Sequence, residues 1–182
     1  MTAPRAIVAR ARKIRLLVMD VDGVLTDGRM ILSERGDELK TFHTHDGVAV
    51  ALAKRAGLRT AMVTGESSPI AKARGAKLGV DSVVLGARRK REVVEALRAE
   101  YDVAADAVAF IGDDLLDIPA MQVAGLAVTV ADAPASVKAV AHLVTRARGG
   151  HGAVRELVEL LLRAQRTWQS VVAAYVREHG GR

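Results

Sequence analysis

LLVMDVDGVLTDG, residues Leu16 to Gly28, carries an oily run into three aspartates, Asp20, Asp22 and Asp27. A short unbroken apolar run that ends in turn residues reads as a strand buried on both faces. Such a strand delivers Asp20 and Asp22 to its own carboxyl end. In a doubly wound sheet that end is where ligands bind. Two carboxylates so close repel unless a cation lies between them. Their hard oxygens suit Mg2+, which takes a few carboxylates and fills its other positions with water and substrate phosphate.

Working outward, the rest of the chain alternates. Further strand-like runs are read at Arg59–Val63, Ser82–Leu85, Ala107–Ile111 and Leu126–Val130, after a first strand at Ile14–Met19. Between them lie helical patterns at Val48–Ala56, Ser68–Leu78, Lys90–Glu100 and Asp117–Val123, and a last strong helix at Ala153–Ala164. This alternation predicts α/β architecture: a Rossmann-like three-layer fold with a mostly parallel sheet. The segment GRMILSERGDELKTF, residues 28–42, breaks the rhythm and reads as a small β-hairpin inserted after strand one. It is too short for a cap domain, so whatever covers the site is small or comes from another subunit. The organisation expected is a basic tail at 1–13, one domain at 14–164 and a C-terminal helical tail at 165–182.

Composition narrows the function classes. The chain has 182 residues, half of them hydrophobic but only 3% aromatic, so its core is built from Ala, Val and Leu. It has no cysteine, which removes disulfides, zinc thiolates and thiol catalysis together. No stretch reads as a membrane span or a signal peptide, and a cytoplasmic protein is the expectation. The net charge is +6. It is concentrated in the N-terminal arginines and in the run Arg88–Arg91, with no aromatic residues interleaved. No nucleic-acid partner is therefore expected.

A second acidic cluster, IGDDLLD, follows the strand at 107–111 and supplies Asp113, Asp114 and Asp117. One Asp after a strand is ordinarily a turn or a helix cap. Two clusters, each directly after an apolar strand, point instead to a metal site. The second strand runs into VTGESS, where Thr64 and the Gly65 amide are placed to hold phosphate oxygens. The third runs into LGARRK, where Lys90 can neutralise a phosphoryl group.

Together DxDGVxTDG, TG, Lys and GDDxxD resemble the haloacid dehalogenase superfamily of phosphotransferases, over about Ile14 to Leu162. The finer strings DVDGVLTDG, DG at Asp46–Gly47, GDDLLDIPAM, VADA and GGHGAVREL are similar to one branch, the capless tetrameric phosphatases of eight- and nine-carbon 3-deoxy-ulosonate phosphates. The resemblance implies Asp20 as nucleophile, Asp22 as general acid and then base, and Mg2+ on Asp20, the Asp22 carbonyl and Asp113. It implies Asp114 and Asp117 as supporting partners of the metal site, with Thr64 and Lys90 gripping the phosphoryl group. It further implies a small sugar-acid phosphate as substrate and a homotetramer in which a neighbour closes each site.

Two departures bear on substrate. Where the octulosonate enzymes carry Arg after the TG pair, this chain has Glu66, with Lys77 one helix later. That combination resembles the nine-carbon 9-phosphate enzymes, so a modest nine-carbon preference is expected. His151 stands where many octulosonate enzymes have Arg, placed to touch the sugar or simply to cap a helix. Two other classes compete. A non-catalytic assembly domain, like those fused to sialate cytidylyltransferases, is disfavoured by the intact Asp20, Asp22, Lys90 and Asp113. A receiver-type signalling domain carries its phosphoacceptor on a later strand.

Overall fold

The computed structural model describes residues 4–36 and 38–181. In chain order the elements are α1 (Arg5–Lys13), β1 (Leu16–Met19), β2 (Ile31–Leu32), β3 (Glu38–Leu39), α2 (Thr44–Arg55) and β4 (Arg59–Val63). There follow α3 (Pro69–Leu78), β5 (Ser82–Val84), α4 (Lys90–Glu100), β6 (Val108–Gly112), α5 (Ile118–Met121) and β7 (Leu126–Thr129). The chain ends with α6 (Ala135–Lys138), β8 (Leu143–Val144), α7 (Ala153–Ala164) and α8 (Trp168–Glu178).

Six strands form one sheet in the order β5-β4-β1-β6-β7-β8, every neighbouring pair parallel. The order runs outward from β1 in one direction and then resumes at β6 in the other. Right-handed crossovers therefore send α2 and α3 to one face and α4 and α5 to the other. α7 returns to pack on α1 and α2, while α4 packs on α5, which completes three layers. The central strands are buried along their whole length, as a sheet covered on both faces requires. Phe110, Leu16, Leu17, Met62 and Leu126 are among the largest fully buried side chains. Each contributes roughly 1.5–3 kcal/mol relative to exposure.

Register decides where the site lies. Met19 pairs with Met62 on one side and Ile111 on the other. Asp20, one residue beyond Met19, and Thr64 and Asp113, two residues beyond Met62 and Ile111, thus emerge together at the carboxyl edge. The switch point between β1 and β6 is the crevice between the two Asp clusters.

Several expectations need correction. The basic N-terminal tail expected at 1–13 is a packed element over its described part. It is helix α1, with Ile7 and Ala11 buried and Arg10, Arg12 and Lys13 bonded to distant parts of the fold. Arg10 donates to the Gly125 carbonyl at 2.6 Å, and Lys13 pairs with Asp106 at 2.9 Å. A sixth strand, β8, was not expected; at two residues it is too short to show a period. The helix expected at Asp117–Val123 is present but shorter, α5 at Ile118–Met121, entered through a 3-10 turn at Leu115–Asp117. The C-terminal tail breaks at Arg166, whose φ is +60°, and resumes as α8. Arg155 and Arg163 flank the Trp168 ring at 5.2 and 4.9 Å from its centre, docking that helix.

The insert is a hairpin, with Ile31 opposite Leu39 across antiparallel β2 and β3. Asp37, between the two strands in sequence, lies outside the described residues. Met30, Ile31, Leu32 and Leu39 are all exposed. No described helix is long and apolar enough to cross a membrane.

Candidate active site

The site is assembled from four strand tips. Beyond β1, Asp20 is nearly buried, and its Oδ1 accepts the Val21 amide at 2.7 Å. Beyond β5, a short loop leads into α4, whose first residue is Lys90. Its ammonium lies 2.9 Å from Asp20 Oδ1 and 2.6 Å from Asp117 Oδ1, and all three side chains are at most 8% exposed. The other Asp117 oxygen, Oδ2, accepts the amides of Asp113 and Asp114 at 2.9 and 3.2 Å. Both Asp117 oxygens are therefore occupied by the protein. Asp117 orders the loop after β6, and the Asp113 carboxyl on that loop bonds to the side chain of Asp20. Asp114 is exposed and caps the following turn, accepting the Leu115 amide at 2.7 Å.

Electrostatics single out the same group. Burial pushes Asp20 well above the usual carboxylate range, with the Asp117 charge adding to the rise and Lys90 opposing it. Burial, then the Asp117 charge, pushes Asp113 up to about 7. Burial by itself would lower Lys90; the charges of Asp20 and Asp117 outweigh it and raise the ammonium. One cation cannot neutralise three carboxylates. Oxygens of Asp20, Asp113 and Asp117 all lie within 4.8 Å of one another. This cluster of hard oxygens with an excess of negative charge fits a divalent cation, with Asp20 and Asp113 free to turn toward it while Asp117 stays bound to Lys90 and the loop amides.

Asp22 points to a different neighbourhood. Thr64, buried beyond β4, donates from Oγ1 to Asp22 Oδ2 at 3.1 Å and accepts the Glu66 amide at 3.0 Å. Asp22 Oδ1 lies 2.5 Å from the ammonium of Lys40, which comes from the segment after β3. A Cβ built on Gly65 meets nothing within 4 Å, so this side of the Thr64 loop is open to a ligand.

Glycines bring the C-terminal motif onto the loop after β1. A Cβ on Gly149 would lie 1.8 Å from the Gly23 carbonyl oxygen, and one on Gly150 would lie 2.4 Å from the Asp27 nitrogen. The Gly150 amide donates to Val24 at 2.9 Å. Buried Asp46, at the start of α2, anchors the far side of this loop. It accepts the amides of Gly152 and Arg155 at 3.2 and 2.7 Å and so caps α7. His151 does not cap that helix. It is exposed, and its Nδ1 lies 2.7 Å from the Gly149 carbonyl oxygen.

The structure thus brings Asp20, Asp22, Thr64, Lys90, Asp113 and Asp117 to one edge, with exposed Glu66 on its rim. It does not bring Lys77. That residue lies in the last turn of α3, about 12 Å along the axis from the helix start at the site edge, given a rise of about 1.5 Å per residue. Lys77 is exposed and pairs with neither Glu66 nor any Asp of the cluster within the chain. Sequence reasoning passed over Lys40 altogether and saw Asp46 only as part of a motif string.

Comparison with known proteins agrees with this geometry. A family model of haloacid dehalogenase-like hydrolases matches residues 77–157. The 3-deoxy-D-manno-octulosonate 8-phosphate phosphatase of Escherichia coli K12 is 41% identical over 159 residues, covering 87% of this chain and 85% of that one. A probable YrbI-family phosphatase of Pseudomonas syringae superposes with a TM-score of 0.92 at 40% identity, over 94% of this chain and 98% of that one. The octulosonate 8-phosphate phosphatase of Moraxella catarrhalis, solved with magnesium, phosphate and KDO, superposes with a TM-score of 0.90 at 35% identity, over 93% and 97% of the two chains. With the sheet order, the acidic strand tips and these likenesses in agreement, the chain belongs to the haloacid dehalogenase-like hydrolases, as a phosphatase of their capless 3-deoxy-D-manno-octulosonate 8-phosphate phosphatase branch.

Proposed function

We propose that this phosphatase is a Mg2+-dependent phosphomonoesterase of a 3-deoxy-ulosonate phosphate, with the eight-carbon 8-phosphate as its preferred substrate. The observation that carries the chemistry is the Asp20–Lys90–Asp117 cluster beside Asp113, at the switch point of the sheet. Asp20, the Asp22 carbonyl and Asp113 would hold Mg2+. The ion supplies positive charge against the Asp20 carboxylate and the phosphoryl oxygens.

The protein's own groups divide the reaction into two displacements. An Asp20 carboxylate oxygen attacks phosphorus. The P–O bond to the sugar breaks as the carboxyl of Asp22 gives its proton to the departing oxygen. The resulting aspartyl-phosphate is then opened by water, whose proton returns to Asp22 as phosphate leaves and Asp20 is restored. Thr64, the Gly65 amide and Lys90 hold the phosphoryl group, and Asp114 and Asp117 support the loop that carries Asp113. Glu66 and His151, both exposed near this edge, are placed to meet the sugar.

The eight-carbon reading replaces the nine-carbon preference expected from Glu66 and Lys77, because Lys77 stands away from Glu66 within the chain. By their names, the Escherichia coli and Moraxella catarrhalis relatives act on the eight-carbon ester. Glu66 on the rim is the one feature that still favours a nine-carbon sugar, since a carboxylate there accepts hydrogen bonds from hydroxyls. The deciding experiment is kcat/KM for both sugar phosphates. We expect the eight-carbon ester to be faster by roughly tenfold or more, the size of discrimination that one or two polar contacts supply. A nine-carbon preference would restore Glu66 as the discriminator. Absence of turnover on either sugar ester and on an aryl phosphate would leave the assembly-domain reading.

The proposed assembly is a homotetramer. Its support is the exposed apolar hairpin, where Ile31 is 49% and Leu32 67% exposed on a domain with no cap of its own. Light scattering at assay concentration should give four times the chain mass. Leu32→Glu together with Leu39→Glu should lower that mass, and activity on the sugar ester with it. A fully active monomer would contradict this reading.

A further inference from the structure

Lys40 is buried without being part of the phosphoryl-binding cluster. It follows the short strand β3, yet its side chain is only 1% exposed. Its ammonium lies 2.5 Å from Asp22 Oδ1 and 3.1 Å from Glu38 Oε1. Glu38 in turn accepts from Ser68 Oγ at 3.5 Å, at the head of α3. Thr64 holds the opposite oxygen of Asp22. The carboxyl of Asp22 is therefore pinned at both oxygens, one by the core and one by the inserted hairpin. A lysine that served only to fasten the hairpin would not have to end on this carboxylate. Burying an ammonium is costly unless it is paired and directed.

The geometry points to Lys40 as the positioning residue of Asp22, the group through which the hairpin sets the angle of proton delivery to the departing sugar oxygen. This rests on the proposed role of Asp22. It predicts a loss in the first displacement, read by kcat/KM, that depends on the leaving group, since the later hydrolysis of the aspartyl-phosphate is common to both substrates. An aryl phosphate leaves as a stable phenolate and needs no proton, whereas a sugar alkoxide does.

The test is kcat and KM on the sugar ester and on p-nitrophenyl phosphate, for wild type, Lys40→Met, Glu38→Gln, Asp22→Asn and the Lys40→Met/Asp22→Asn pair. Lys40→Met should lower the sugar-to-aryl ratio of kcat/KM by about ten- to a hundredfold, acting through kcat on the sugar ester. Glu38→Gln should lower the ratio in the same direction by less. In the Asp22→Asn background Lys40→Met should lower it no further, because the two act as one unit. Equal losses on both substrates, additivity with Asp22→Asn, or a rise in KM alone would overturn the assignment. If Lys40→Met does not fold, Glu38→Gln and its combination with Asp22→Asn decide by the same criteria. If Asp22→Asn itself lowers both substrates alike, the proposed acid role falls, and the Lys40 assignment falls with it. A selective loss in Asp22→Asn with none in the hairpin variants sinks Lys40 alone.

Discussion

Asp20→Asn should lower turnover of sugar and aryl phosphates alike by about a thousandfold or more, the scale of loss when a nucleophile is removed from a unit that otherwise stays intact. The change keeps the shape of the side chain and removes the attacking oxygen's charge. A good leaving group gives no relief, because the bond to phosphorus cannot form. The fold should survive. Asp20 is a buried carboxylate whose ionised form is already disfavoured by burial and by Asp117, and Asn relieves that repulsion while Asp117 still pairs with Lys90. Steady-state rates read beside a thermal melt check both halves. A variant that keeps more than a few per cent of activity at an unchanged melting temperature would remove Asp20 from the chemistry.

Lys90→Met should be costly to stability as well as to rate. Its ammonium is shared between Asp20 and Asp117, and its removal leaves two buried carboxylates without their cation. Breaking a buried pair from one side costs about 3–5 kcal/mol. At about 2–4 °C per kcal/mol for a chain of this size, the melting temperature should fall by roughly 10 °C. The sign of the pH dependence follows from Asp20. Its folded-state pKa lies above its unfolded value, and losing Lys90, which opposes that rise, lifts it further. The protonated carboxyl is thus favoured in the folded chain. The variant's deficit should be full above the folded-state pKa of Asp20 and shrink as pH falls through it. Melts of wild type and variant from pH 8 down to about pH 5, in chelator, would show this convergence. A constant gap would mean that the cluster is not what the substitution disturbs.

Much of this site was legible because a parallel sheet turns sequence order into position. Asp20, Thr64, Lys90 and Asp113 each follow an apolar run, and each run became a strand pointing the same way. What was not legible depended on contacts with no local signature. Lys40 reaches Asp22 only because the hairpin folds back across eighteen residues. Asp46 caps a helix that begins more than a hundred residues later. The stripe of Ile7 and Ala11 that makes α1 a packed helix was masked by its arginines. Lys77 misled for a geometric reason. A residue one helix further along the chain lies at the opposite edge of the sheet, since a helix in this fold carries the chain back from carboxyl ends to amino ends.

The central claim is that phosphate passes through Asp20. Borohydride reduces an acyl phosphate to the alcohol, so quenching the enzyme during turnover of an aryl phosphate should convert the trapped aspartate to homoserine. Peptide mass spectrometry should then find homoserine at position 20, dependent on substrate and absent from Asp20→Asn. Homoserine at Asp22 or Asp113 instead, or none at any aspartate while the enzyme is turning over, would contradict the account.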